Sequence, residues 1–205
     1  MSWLDFFKKK PKEEELSAFE QELARHGLLA WFRDTFSATD RARLEEQGRN
    51  AARGKQAADA VALLRALAPR GELGRRVLAK AEELAGGDPV ALNQLHDAMV
   101  DRYVREAEGD KPALEEAIRV CERQIARAAA VKEALAKSGT KLPRHRGYEQ
   151  LAILREKAGN PAEALRLARE AKQAGWAGDW DARIMRCEEK VRQPPADDDE
   201  PSAGA

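Results

Sequence analysis

Three turns of one make divide this chain: Gly87-Asp88-Pro89, Gly109-Asp110-Lys111-Pro112 and Gly159-Asn160-Pro161. Glycine can take the left-handed conformation that ends a helix. Asp or Asn then accepts from the free N–H groups of the next helix, and proline stands in its first turn, where a missing N–H costs nothing. Asn160 also has Glu163 three residues on, as in a capping box. Turns this short leave no room for a crossover, so successive helices must fold back antiparallel.

The segments between the turns read as helix. Ala, Leu, Glu, Arg and Lys dominate them, and no run of Val, Ile, Thr or Tyr alternates as a strand requires. The spacing predicts helices over 13–34, 38–53, 56–69, 72–86, 90–108, 112–137, 144–158, 161–174 and 180–192. Charged residues make up 35% of the chain and aromatics only 5%, which suits exposed helices that each bury one narrow stripe. Two such stripes are Leu114, Ile118, Cys121, Ile125 and Trp180, Ile184, Cys187, Val191. They place both cysteines among packing residues, where a thiol is inert. Two cysteines make neither a disulfide framework nor a metal-finger spacing. With no apolar run long enough to span a bilayer and no secretory pattern at the N-terminus, a reducing, cytoplasmic setting is expected. The expected fold is all-α: an array of antiparallel helix pairs closed by a capping helix.

The ends differ from the middle. Residues 193–205 combine prolines, small residues and four acids, too little apolar surface to offset ordering entropy, so a disordered acidic tail is expected. Residues 1–12, apolar then basic, are expected to be a separate flexible segment, leaving 13–192 as the expected helical domain.

Within 145–178, Ala152, Ala164 and Ala171 are separated by twelve and then seven residues, with Tyr148, Leu151 and Leu167 supplying bulk beside them. Small side chains at those points let two helices approach closely and a third pack onto them. Here the chain resembles the tetratricopeptide repeat (TPR) family. Tyr148, Leu151-Ala152, Gly159, Ala164-Leu165, Ala168 and Ala171 stand where its pattern has an aromatic, a Leu-small pair, a turn glycine and the small residues of the second helix. A weaker copy uses Ala62, Gly74 and Ala81, with Ala58 at the aromatic position, and 90–137 reads as a lengthened unit with Ala117 and Cys121 in its second helix. The resemblance implies a TPR-like α-solenoid, best in unit 145–178, with 180–192 as the cap that gives the last pair a polar outer side. Trp176 and Trp180 read as two indoles sealing the end of the stack, in preference to an aromatic ligand cage.

The same resemblance implies a non-enzymatic adaptor that binds another protein or a peptide in a concave groove lined by the first helix of each pair. The groove positions fall on Arg146, Glu149, Ile153 and Glu156 in the best unit, and on Gln56, Asp59 and Leu63 in the weaker one. That lining is mixed in charge with an apolar centre. Chaperone-binding members clamp a terminal carboxylate with Lys and Asn, and Glu149 and Ile153 occupy two of those positions, which argues against that use.

Chemistry finds little support. Gly48 and Gly54-Lys55 miss the phosphate-loop spacing, with Gln56 where Ser or Thr should hold magnesium. No two of His26, His96 and His145 sit close enough on one helix to bind zinc. His96 and His26 read as imidazoles at the edge of the core. His145, between Arg144 and Arg146, reads as a solvated basic corner, or less readily as an anion site at a helix start. No cofactor, metal or catalytic residue is expected. Lys and Arg number 36 against 36 Asp and Glu, interleaved without a basic stripe, so nucleic acid is not an expected partner. A second reading places function at the N-terminus: Trp3, Phe6 and Phe7 beside Lys8, Lys9 and Lys10 could rest weakly on an anionic membrane surface.

Overall fold

The structure, a computed structural model, describes residues 16–51 and 57–192. Trp3, Phe6, Phe7, Lys8, Lys9 and Lys10, expected as a membrane contact, Gln56, expected in the groove, and the tail 193–205 lie outside that range. Eleven helices and no strand occur among the described residues, so the protein is all-α. No helix among them is long and apolar enough to cross a membrane. The chain divides into two compact units, at Leu84 and Ala85.

The first unit holds α1 (Ala18–Arg25), α2 (Leu29–Thr35), α3 (Ala38–Ala51), α4 (Ala60–Leu67) and nearly all of α5 (Glu72–Ala85). Helix α1 starts on a complete capping box: Glu20 N–H donates to the Ser17 hydroxyl, and Ser17 N–H to the Glu20 carboxylate. The helix expected over 13–34 breaks at Gly27 (φ 70°). There Leu28 N–H bonds back to Leu23 O at 2.8 Å and Gly27 N–H to Ala24 O at 3.0 Å, a Schellman closure. The turn lets Phe32 meet Phe19 edge-on at 5.4 Å, with Phe36 at 5.9 Å from Phe32. The Arg76 guanidinium lies 4.8 Å from the Phe36 ring centre and donates to Thr35 O. Gly48 lets α3 pass against this cluster, since a Cβ there would sit 2.6 Å from the Phe19 ring.

The second unit runs α6 (Pro89–Glu106), α7 (Lys111–Ala126), α8 (Ala128–Lys137), α9 (Arg146–Lys157), α10 (Pro161–Ala174) and α11 (Trp180–Arg192). The punctuating turns act largely as their residues dictate. Asp88, Asp110 and Asn160 each accept from N–H groups in the first turn that follows. Gly109 and Gly159 are left-handed at φ 79° and 74°, but Gly87 is not, and that turn closes through Asp88 N–H to Ala85 O. Among its hydrogen bonds, Asn160–Glu163 shows the half in which Glu163 N–H donates to the Asn160 side chain, while the Glu163 carboxylate pairs with Arg166.

Helix α6 packs on α7, α7 on α9, α9 on α10 and α10 on α11. Ala117, Cys121, Ala152, Ala164, Ala168 and Ala171 are fully buried at these contacts. The helix expected over 112–137 is two: the chain turns at Arg127 (φ −100°, ψ −1°), and α8 lies against α6, burying Ala128, Val131 and Leu135. Helix α11 covers the expected 180–192. Its outer face, with Asp181, Arg186, Glu189 and Arg192, is mostly polar, but Met185 is exposed there, and so is Val191, which the sequence placed on the packing stripe. Trp176 and Trp180 are both buried, and the Trp180 indole N–H donates to Trp176 O at 2.7 Å.

Candidate functional site

Arg146, Glu149, Ile153 and Glu156 are spaced three, four and three residues apart on α9, so they fall within one arc of that helix. Their neighbours differ at its two ends. At the N-terminal end, Arg146 donates Nε to Asp101 of α6 at 3.0 Å and Nη1 to Glu149 at 3.0 Å, while Arg144 stands 3.5 Å from Glu149. Asp97, one turn before Asp101, accepts from Gln124 Nε2 at 2.7 Å. Burial raises the Asp97 carboxyl above its usual range, against the pull of Gln124 and Arg146, and the like charge of Asp101 adds to the rise. This pole holds three carboxylates around two arginines.

The C-terminal end has the opposite balance. Glu156 accepts from Arg183 Nη1 at 2.8 Å, from Arg186 Nε and Nη2 at 3.0 Å each, and from Lys190 Nζ at 3.3 Å. Its side chain is only 8% exposed. Burial by itself would raise this carboxyl, but the hydrogen bonds from Arg186 and Lys190 and the charges of Arg186 and Arg183 outweigh it and hold it down at about 2. Arg183, Arg186 and Lys190 are one and two turns apart on α11, a spacing readable within the expected 180–192 helix. Their convergence on Glu156 required the packing. Ile153, partly buried, separates the two poles, and Arg155 on the α7 side donates to Glu122 at 3.1 Å.

Behind the acidic pole the core is polar. Asn93, His96, Gln124 and His145 are all buried. Gln124 Nε2 donates to Asn93 Oδ1 at 2.9 Å as well as to Asp97, and its Oε1 faces Gly147, where a Cβ would come within 2.8 Å of it. His145 corrects the solvated-corner reading. It has no exposed surface, and its ring meets Tyr148 at 4.8 Å and Trp176 at 4.6 Å, both edge-on. As the N-cap of α9 it accepts at Nδ1 from Tyr148 N–H, which puts the proton of the neutral ring on Nε2. Burial holds this imidazole neutral, with its pKa lowered to about 4. The N–H that an anion would have used is thereby occupied.

In the first unit the expected groove positions serve folding. Asp59 caps α4, accepting from Ala62 N–H at 2.7 Å, and Leu63 packs into the core with Leu64 and Leu67. Leu63 is therefore a core residue and not part of an open lining. His26 lies 3.3 Å from Glu22, partly buried, and His96 is deep in the core rather than at its edge. Cys121 and Cys187 are both buried and free. Burial pushes the Cys121 thiol up to about 12, and burial with the nearby Glu156 raises Cys187. Among the described residues no group of three His, Cys, Asp or Glu side chains is placed to hold a metal ion.

These features define an all-α protein with a two-poled charged face on its second unit. Comparison with protein-family models, curated proteins and solved structures finds no match for the chain.

Proposed function

We propose that the chain is a non-enzymatic interaction module, a cytoplasmic adaptor whose α6–α7 and α9–α10 pairs, closed by α11, form a TPR-like array. In this reading the α9 face receives a peptide or helix of another protein, with Ile153 against an apolar side chain of the partner. The observation that carries it is the order along α9: an acidic pole around Asp97, Asp101 and Glu149, an apolar step at Ile153, and a basic pole of Arg183, Arg186 and Lys190. A partner segment with its charges in the opposite order would match it, and complementary potentials set register and on-rate. The fully buried alanines at the helix contacts and the short capped turns support the array. The two buried, unbridged cysteines support a reducing compartment.

The test is affinity capture with the wild-type chain and with Ile153→Asp, both confirmed as folded by circular dichroism. Under this reading a protein retained by the wild type is lost at least tenfold with Ile153→Asp, and its crosslinks fall on Lys157 and Lys190. Equal retention by both chains, or crosslinks confined to the first unit, rejects the face.

A further inference from the structure

Three cations share one carboxylate at the basic pole. Arg183 is nearly enclosed with Glu156, whereas the Arg186 and Lys190 side chains keep 47% and 50% of their surface exposed. Other acids on and beside α11 offset part of this surplus: Asp179 acts on Arg186, and Asp181 is taken up by Lys172. Glu188 is engaged by Arg169 of α10 and lies 3.8 Å from Arg192, and Glu189 is a single exposed carboxylate. Lys157, exposed at the end of α9, adds a further positive charge. By contrast, the groove between α10 and α11, about 360 Å³ and lined by Ala162, Leu165, Arg166, Arg169 and Val191, has its arginines already paired. Arg166 is held by Glu163 and Glu170, and Arg169 by Glu188.

An anionic segment begins within reach of the surplus. Helix α11 ends at Arg192, and Asp197, Asp198, Asp199 and Glu200 follow five to eight residues later. At no more than about 3.5 Å per residue, Asp197 can lie up to about 17 Å from the helix end. Lys190 and Arg186 lie about 3 and 9 Å back along the axis. We propose that this acidic C-terminal segment is the intramolecular ligand of the Arg186–Lys190 pole. The contact exchanges exposed, screened charges, so it is weak per pair. At an effective concentration on the order of 1 mM, the contact is half-populated when its several pairs together supply about 4 kcal/mol. An acidic partner segment would have to displace the tail, and this consequence alone rests on the binding-module reading.

The test uses the 205-residue chain and no partner. Amide and side-chain NMR spectra of the wild type are compared with the variant Asp197→Asn/Asp198→Asn/Asp199→Asn/Glu200→Gln. In low salt, with a screening length of about 20 Å, signals of Arg183, Arg186 and Lys190 differ between the two proteins. In salt high enough to cut that length to about 4 Å, the spectra coincide. Lys190→Glu, placed in both backgrounds, abolishes most of the low-salt difference. A peptide of residues 193–205 added at millimolar concentration to the neutral-tail variant moves the same signals toward their wild-type positions. Superimposable low-salt spectra overturn the proposal. Differences centred on Arg166 and Arg169, or differences that grow with protein concentration and so report a second copy, also overturn it.

Discussion

Arg183 and Glu156 meet at 2.8 Å with 13% and 8% of their side chains exposed, joining the capping helix to α9 through an ion pair almost closed to water. Removing the carboxylate leaves Arg183 with no counter-charge in a poorly solvated position, a costly arrangement. Glu156→Gln keeps the volume and should lower stability by about 2 kcal/mol, or Tm by about 4–8 °C for a chain of this size.

That difference should depend on pH in a definite direction. Glu156 has its folded-state pKa depressed to about 2 from an ordinary 4.5. Its contribution is therefore complete above about pH 4.5 and disappears as pH falls toward 2. Urea denaturation at pH 7 and at pH 3 checks this, with the gap between wild type and Glu156→Gln narrowing in acid.

His145 acts in a higher window. Its folded-state pKa is about 4 against 6.5, so the unfolded chain binds a proton there that the folded chain refuses. The wild type should lose stability as pH falls from about 6.5 to 4, by no more than about 3 kcal/mol, and this residue should add no further loss below that. Asn keeps the N-cap but leaves unfilled the ring's place between Tyr148 and Trp176, so His145→Asn should be less stable at pH 7 yet lack this component of the decline. A decline of equal size in the variant would assign the acid sensitivity elsewhere.

Gly147 occupies a place where a Cβ would come within 2.9 Å of the Cys121 carbonyl and 2.8 Å of Gln124 Oε1. Because the carbonyl is backbone, relief requires α9 to move from α7. Gly147→Ala should cost about 2–3 kcal/mol. Gly159→Ala meets open space but forces alanine to φ 74°, and should cost about 1 kcal/mol. Thermal melts of the two variants should rank in that order.

Ala171 tests the close approach of α10 to its neighbours. Ala171→Leu inserts three carbons where no surface is exposed and should destabilise by about 2–3 kcal/mol. Ala182→Leu, on the exposed side of α11, should change stability by less than about 0.5 kcal/mol.

How far these features could be read from the sequence depended on the distance between the residues involved. Capping by Asp88, Asp110 and Asn160, and the span of α11, follow from signals within a few residues, and they stand where expected. Gly27 is an equally local signal, but helical periodicity continues on both sides of it and hides the break. The turn at Arg127 lies among alanines with no breaker, and it is the packing of Val131 and Leu135 that requires it. The neighbours of His145, Arg144 and Arg146, suggest water, while the indole that covers it arrives from Trp176, far along the chain. The α9 arc was legible as a mixed-charge face. Its pairing with Asp101 on one side and Arg183, Arg186 and Lys190 on the other depends on contacts 27 to 45 residues apart, which no local pattern encodes.

The pocket of His145 is built from both sides of one junction: Tyr148 follows it on α9, and Trp176 comes from the loop after α10. The same loops are clasped by Ala177 N–H to Pro143 O at 3.1 Å. Neither strap can lift without uncovering an imidazole and stripping a ring from its neighbour. The breathing of these two loops is therefore a single event, and solvent deuterium should reach Tyr148 and Ala177 on a common clock although they belong to different turns of the chain.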